Sequence, residues 1–165
     1  MTPFDEGFIR AAAIGIAATA VMDLWLLLLQ FLNVPTLNFA LLGRWVGHMP
    51  RGRWAHDGMA KAAPVRGEVA LGWAVHYATG IAFATLLAYA AGSQWLQAPT
   101  VAPALALGMV TVAVPLFVMQ PAMGAGIASS RTKTPALNCV KSLANHTVFG
   151  LGLYVAALAA STFFS

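Results

Sequence analysis

The sequence predicts an all-α protein: a polytopic transmembrane four-helix bundle with a cytoplasmic interfacial helix between spans one and two. Three observations predict it. Hydrophobic residues make up 59% of the 165-residue chain and charged residues only 8%, against roughly a quarter charged in an ordinary soluble domain. The apolar residues fall in four stretches, each near the ~20 residues a helix needs to cross the hydrocarbon core. Eight of the nine lysines and arginines lie in two connections between those stretches, a distribution that sets orientation in a membrane. The reading is one membrane domain over residues 1–165, with spans at about 8–32, 68–90, 101–119 and 142–164 and basic loops at 33–67 and 120–141.

Span one is interrupted only by Arg10 and Asp23. It is too long for a signal-peptide core and has no basic leader, so it is expected to stay in the protein. In the loop that follows, Leu42, Trp45, Val46 and Met49 recur at helical spacing, with Arg44 and His48 off the stripe. That pattern predicts a short helix over about Phe39 to Met49 lying in the interface, its arginines toward anionic head groups. Span two carries His76, span three Pro103 and Pro115, and span four His146.

Arg44, Arg51, Arg53, Lys61 and Arg66 mark the first basic loop, and Arg131, Lys133 and Lys141 the second. Both loops are therefore expected in the cytoplasm and both termini outside. Trp95, Phe163 and Phe164 then suit the outer interface, Trp45 and Trp54 the inner one. The formal charge of +4 comes from these loops, so it is a topology signal, and no nucleic-acid partner is expected. Cys139 stands alone, which excludes an internal disulfide and leaves no call for an oxidising compartment.

Asp23, His76 and His146 are the informative exceptions inside the spans. An ionisable side chain at membrane depth costs several kcal/mol unless paired or solvated. With the topology above, all three fall in the cytoplasmic half, and Gln120 closes span three at the same side. His76 lies about eight residues into its helix, roughly 12 Å, and His146 about four residues into its own. Residues four apart share a helix face, which groups Gly15, Thr19 and Asp23; Glu68, Gly72, His76 and Gly80; and Ser142, His146, Gly150 and Tyr154. Small residues on those rows let helices approach closely, so the polar groups are expected to face the bundle centre. Thr111, Pro115 and Met119 form the matching row of span three, where Pro115 frees a carbonyl. The plainer alternative is structural: polar residues that merely bond a neighbouring helix.

Two loop clusters add candidates. His48, His56, Asp57 and nearby methionines are residue types that ligate transition metals, although their spacing matches no metal motif and solvated loop histidines are the plainer alternative. The stretch holding Gly124, Gly126, Ser129 and Arg131 suits a nest of N–H donors for a phosphate or head group, against the alternative of a flexible turn with a serine cap. It lacks a P-loop lysine, so nucleotide hydrolysis is not expected.

Four runs resemble a bacterial membrane family defined as domain of unknown function number 2938: Gly43 to His56 (GRWVGHMPRGRWAH), Gly72 to Tyr77 (GWAVHY), Met119 to Gly126 (MQPAMGAG) and His146 to Tyr154 (HTVFGLGLY). The resemblance covers nearly the whole chain. It implies a multi-pass helical protein of the inner membrane and carries no mechanism with it.

The functional expectation is a polar intramembrane site that binds a metal ion or small ligand through Asp23, His76, His146 and Gln120. His48, His56, Glu68 and Met119 are secondary candidates. Zinc or iron suits imidazole and carboxylate; haem b between His76 and His146 is the lesser option. A proton-coupled carrier would use the same residues, and a structural or assembly protein would need no site. Enzyme status stays open with a lean toward no: Cys139 and Ser142 near His146 do not make a nucleophile–base–acid set, and by comparison with membrane di-iron oxygenases the four histidines are too few. The lipid bilayer is the expected partner. A homodimer through Gly152 and Ala156, a small-xxx-small pair, is a further expectation.

Overall fold

The computed structural model describes the backbone from Pro3 to Phe163 and the side chains from Glu6 to Thr162 except Ser93. Phe164 and the side chain of Phe163, both expected at the outer interface, lie outside the described residues. Among the described residues there is no strand. The helices are α1 (Pro3–Phe31), α2 (Phe39–His48), α3 (Glu68–Ala91), α4 (Ser93–Gln97), α5 (Val101–Thr111), α6 (Gln120–Ala122) and α7 (Pro135–Phe163). A π-helical turn at Pro115–Met119 leads into α6.

Four segments are long and apolar enough to cross a membrane: Glu6–Phe31, Glu68–Ala91, Val101–Ala122 and Pro135–Thr162. They identify a multi-pass membrane protein. Its apolar surface agrees: Ile16, Leu24, Leu27 and Leu28 of α1 all point outward, an exposure that a water-facing helix would not carry in one run.

The fourth of these helical segments opens at Pro135, ahead of Ser142. Pro135 opens α7, a position where its missing N–H costs nothing. Asn138 and Lys141 are helical, although their polarity reads as loop. Ser142 is thus inside the helix and not at its start, and His146 lies about three turns past Pro135.

The described chain divides into two compact units. The first comprises Met1–Pro35, Tyr77–Thr111 and Asn145–Ser165. Its core gathers Ile14 and Ala18 of α1, Ala84 and Leu87 of α3, Trp95 and Leu96 of α4, Ala104 of α5 and Phe149, Leu153 and Ala157 of α7. Small residues set the spacing. A Cβ on Gly108 would stand 2.5 Å from the His146 carbonyl oxygen and 2.8 Å from the Gly150 Cα. One on Gly15 would stand 2.7 Å from the Ile81 Cα. Backbone meets backbone at these points; Gly15 and Gly150 stand on the expected small-residue rows, while Gly108 does not.

Two expectations change here. Trp95 is buried in this core, its Nε1 donating to the Thr100 carbonyl at 3.0 Å, because the short α4 turns the ring inward; it is no interface anchor. Gly152 packs against Ala18 and Val21 of α1, and Ala156 lies against the same core. That small-residue pair packs within one chain.

The second unit comprises Thr36–His76 and Val112–Ala144. The predicted short helix is present as α2, capped by the Asn38 side chain, which accepts from the Ala40 N–H at 2.9 Å. It docks on the start of α3 through reciprocal glycines: Gly43 lies on the Glu68 carbonyl and Gly72 on the Phe39 carbonyl, with no room for a Cβ at either. Arg44 seals the join. Its guanidinium donates to both Glu68 oxygens, at 2.8 and 2.7 Å, and to the Ala62 carbonyl at 3.1 Å. A two-point fork of this kind is the strong form of an ion pair.

The loops of this unit are tied to one another. The His56 N–H donates to the Ala122 carbonyl at 2.8 Å and the Met59 N–H to the Met123 carbonyl at 3.0 Å. Gly124, at φ +92°, brings its backbone onto that of Asp57, in a conformation and a space that only glycine accepts.

Candidate functional site

The polar residues of the spans divide between the two units. In the first, the Tyr77 hydroxyl donates to the Asp23 carboxylate at 2.8 Å, and the Trp25 indole donates to the Asn145 side-chain oxygen at 2.9 Å. Thr19 is fully buried and donates back to the Gly15 carbonyl. Tyr77, Trp25 and Asn145 escape the sequence reading. Tyr77 follows His76 and Asn145 precedes His146, so each of these bonds is made one residue away from a histidine, on another helix face.

His146 is held by Thr111. Its Nδ1 lies 3.0 Å from the Thr111 hydroxyl, which also lies 2.9 Å from the Gly108 carbonyl. A hydroxyl has one hydrogen, and a carbonyl can only accept. Thr111 therefore donates to Gly108 and accepts from Nδ1–H, which assigns the proton to Nδ1 and leaves a lone pair on Nε2. The His146 ring also lies within hydrogen-bonding reach of the Gly108 backbone. The expected row of Thr111 on span three thus finds its partner.

In the second unit, His76 sits in an aromatic group, its ring centroid 4.6 Å from Phe39 and 5.9 Å from Trp73. Gln120 acts as a clasp. Its oxygen accepts from the Ser129 hydroxyl at 2.9 Å, and its nitrogen donates to the Ser142 oxygen at 3.3 Å. Met119 belongs to the π-helical turn. Glu68, a secondary ligand candidate, has both oxygens engaged by Arg44 and one also by the Val65 N–H. The Glu68 hydrogen bond in turn raises the Arg44 guanidinium above its ordinary value. Among the described residues, no group of three or more His, Cys, Asp or Glu stands where it could hold a metal ion.

The loop histidines are not solvated side by side. His48 is buried and its Nε2 meets the Ala63 carbonyl at 2.9 Å, which makes that nitrogen the donor. His56 packs edge-on against it at 5.0 Å. Nδ1 of His48 and both ring nitrogens of His56 are buried without a hydrogen-bond partner.

Much of the expected nest of N–H donors is engaged within its own loop. The amides of Gly124, Ala125, Ser129, Ser130 and Arg131 already donate to backbone carbonyls, because the loop winds into tight turns with Gly124, Gly126, Ala128 and Ser129 at positive φ. The Arg131 side chain of that stretch points to a second feature. It lines a pocket of about 570 Å³ together with Arg53, His56, Asp57, Lys61 and Pro121.

The model of a family of proteins of unknown function, DUF2938, matches residues 12–160. The chain belongs to that family. No curated protein and no solved structure matches it significantly. Membership of DUF2938 agrees with the resemblance carried by the four motif runs. In the structure those runs contain Gly43, Gly72, Gly124 and Gly150, each at a backbone-to-backbone approach, so these glycines act on packing while His48 and His56 carry the buried ring nitrogens without a partner.

Proposed function

We propose that this DUF2938 protein is a multi-pass protein of the bacterial inner membrane that binds a small ligand through polar groups within its spans. Both basic loops are read as cytoplasmic and both termini as outside, from the charge distribution. The observation that carries the binding reading is His146, an ionisable imidazole inside a span whose Nδ1 is bonded to the Thr111 hydroxyl. An ionisable group in a membrane helix is a functional site by default, and an imidazole nitrogen takes up a proton or accepts from a donor. A carrier that couples its cargo to protons would use this group, and that is the form of the reading the geometry favours. Zinc or iron needs three or more protein ligands of matching geometry, and no such set stands among the described residues.

The test is nitrogen NMR of histidine-labelled protein in nanodiscs, with His146→Gln identifying the signal. The expected spectrum shows His146 protonated on Nδ1 alone at neutral pH and shifting on acidification or on proton-coupled uptake. A signal that stays unchanged across the physiological range removes the proton-binding reading. Elemental analysis of the same sample gives the metal alternative its chance: stoichiometric zinc or iron, lost in both His76→Ala and His146→Ala, would restore it.

A further inference from the structure

The pocket in the second unit has a chemistry of its own, independent of the span site. Arg53, Lys61 and Arg131 bring three positive side chains to it, and Asp57 one negative. None of the three cations forms an ion pair among the described residues, so the pocket carries a net charge of about +2. Its walls are built and not incidental. The segment carrying Arg53, His56 and Asp57 is tied by two backbone hydrogen bonds to the turn that carries Pro121 and leads to Arg131. At about 570 Å³, it lies within the ~300–1,000 Å³ typical of small-molecule sites.

His56 gives the pocket a reason to be filled. Both its ring nitrogens are buried without a partner, and a buried polar group left unmade is costly. A neutral imidazole needs an acceptor for its one N–H. A phosphate oxygen supplies that acceptor and offers the remaining oxygens to guanidinium forks. Next to Arg53 in sequence, Trp54 is 63% exposed, a residue type enriched at head-group depth.

We infer that this pocket binds a phosphate-bearing anion, held by Arg53, Lys61 and Arg131 with His56 donating to a phosphate oxygen. The chemistry is shared by an anionic lipid head group and by a soluble phosphate ester, and the experiment separates them. Full-length protein is placed in phosphatidylcholine nanodiscs, with or without phosphatidylglycerol. Lipid retention is read by native mass spectrometry, and calorimetry follows titration with glycerol 3-phosphate and with inorganic phosphate. Retention of phosphatidylglycerol alone assigns a head group; binding of either soluble probe assigns a soluble phosphate compound. The Arg53→Gln/Arg131→Gln double variant is expected to lose about tenfold or more in affinity, while Arg66→Gln, outside the pocket, matches wild type. Asp57→Asn is expected to tighten binding about threefold, and it keeps the test alive should the double variant fail to fold. The inference is overturned if wild-type protein binds none of the probes, if the double variant binds as well as Arg66→Gln, or if Asp57→Asn fails to tighten.

Discussion

Where α7 crosses α1 in the first unit, Gly152 rests on the backbone of Ala18; where α2 meets α3 in the second, Arg44 reaches across to hold both oxygens of Glu68. The first unit is cohesive through apolar contact and close backbone approach, with side-chain hydrogen bonds such as Tyr77–Asp23 and Trp25–Asn145 joining its helices. The second relies on charge, on ties between loop backbones and on the Gln120 clasp. The contrast follows from solvent. In lipid no hydrophobic force drives helices together, so shape and small residues must do it. A segment rich in arginine, proline and glycine cannot form a broad apolar core and must be stitched by polar bonds. The difference also separates the candidate sites: one polar nitrogen among packed helices, and one cationic pocket among tied loops.

The largest expected effect comes from breaking the first kind of contact. Gly108→Ala would force a Cβ against the His146 carbonyl and the Gly150 Cα, both backbone atoms that cannot rotate away. Overpacking of this kind costs about 1–3 kcal/mol and sometimes more. The melting temperature in detergent should fall sharply, and hydrogen exchange should accelerate in α5 and α7 while α2 amides keep their protection. Equal acceleration in α2 would show that the two regions do not differ as described.

Arg44→Lys probes the second kind. Lysine keeps the charge but loses the planar fork, so Glu68 keeps one partner atom in place of two. A smaller fall in melting temperature is expected, with faster exchange confined to α2 and the start of α3. A lysine variant as stable as wild type would mean that the glycine docking alone holds α2.

Tyr77→Phe is the finest cut. It deletes the hydroxyl that donates to Asp23 and leaves the ring. Hydrogen bonds between membrane helices average about 0.6 kcal/mol, so the loss should be of that order in a denaturation titration. A loss of several kcal/mol would mark Asp23 as a group that depends on Tyr77 to remain in the span at all.

Much of this architecture is legible without coordinates. Hydropathy locates the spans, the stripe of Leu42, Trp45 and Val46 locates α2, and four-residue rows locate the glycine contacts, because each of these is a property of one helix alone. The candidate site is less legible, since a hydrogen bond between helices depends on their mutual rotation. Spacing marks His146 and Thr111 as inward residues, but it does not point to Tyr77 as the partner of Asp23. Trp95 misleads for a related reason: an aromatic in a short connection reads as an interface anchor until α4 folds it inward. Asn138 and Lys141 mislead through polarity, which a long helix tolerates where its end leaves the hydrocarbon.

Pro115 has one more consequence. It has no N–H to return to the Thr111 carbonyl, and the chain answers with a π-helical turn in which the Gln120 N–H reaches back five residues to the Pro115 carbonyl. Such a turn holds one residue more than an α-helix would, so the span is a segment with an insertion absorbed in place. Each residue advances a helix by about 100°; a chain one residue shorter between Val114 and Met119 would therefore aim the Gln120 amide away from Ser129 and Ser142. Length at this point acts as an address, and a deletion that removes no functional side chain would still send the clasp to the wrong face.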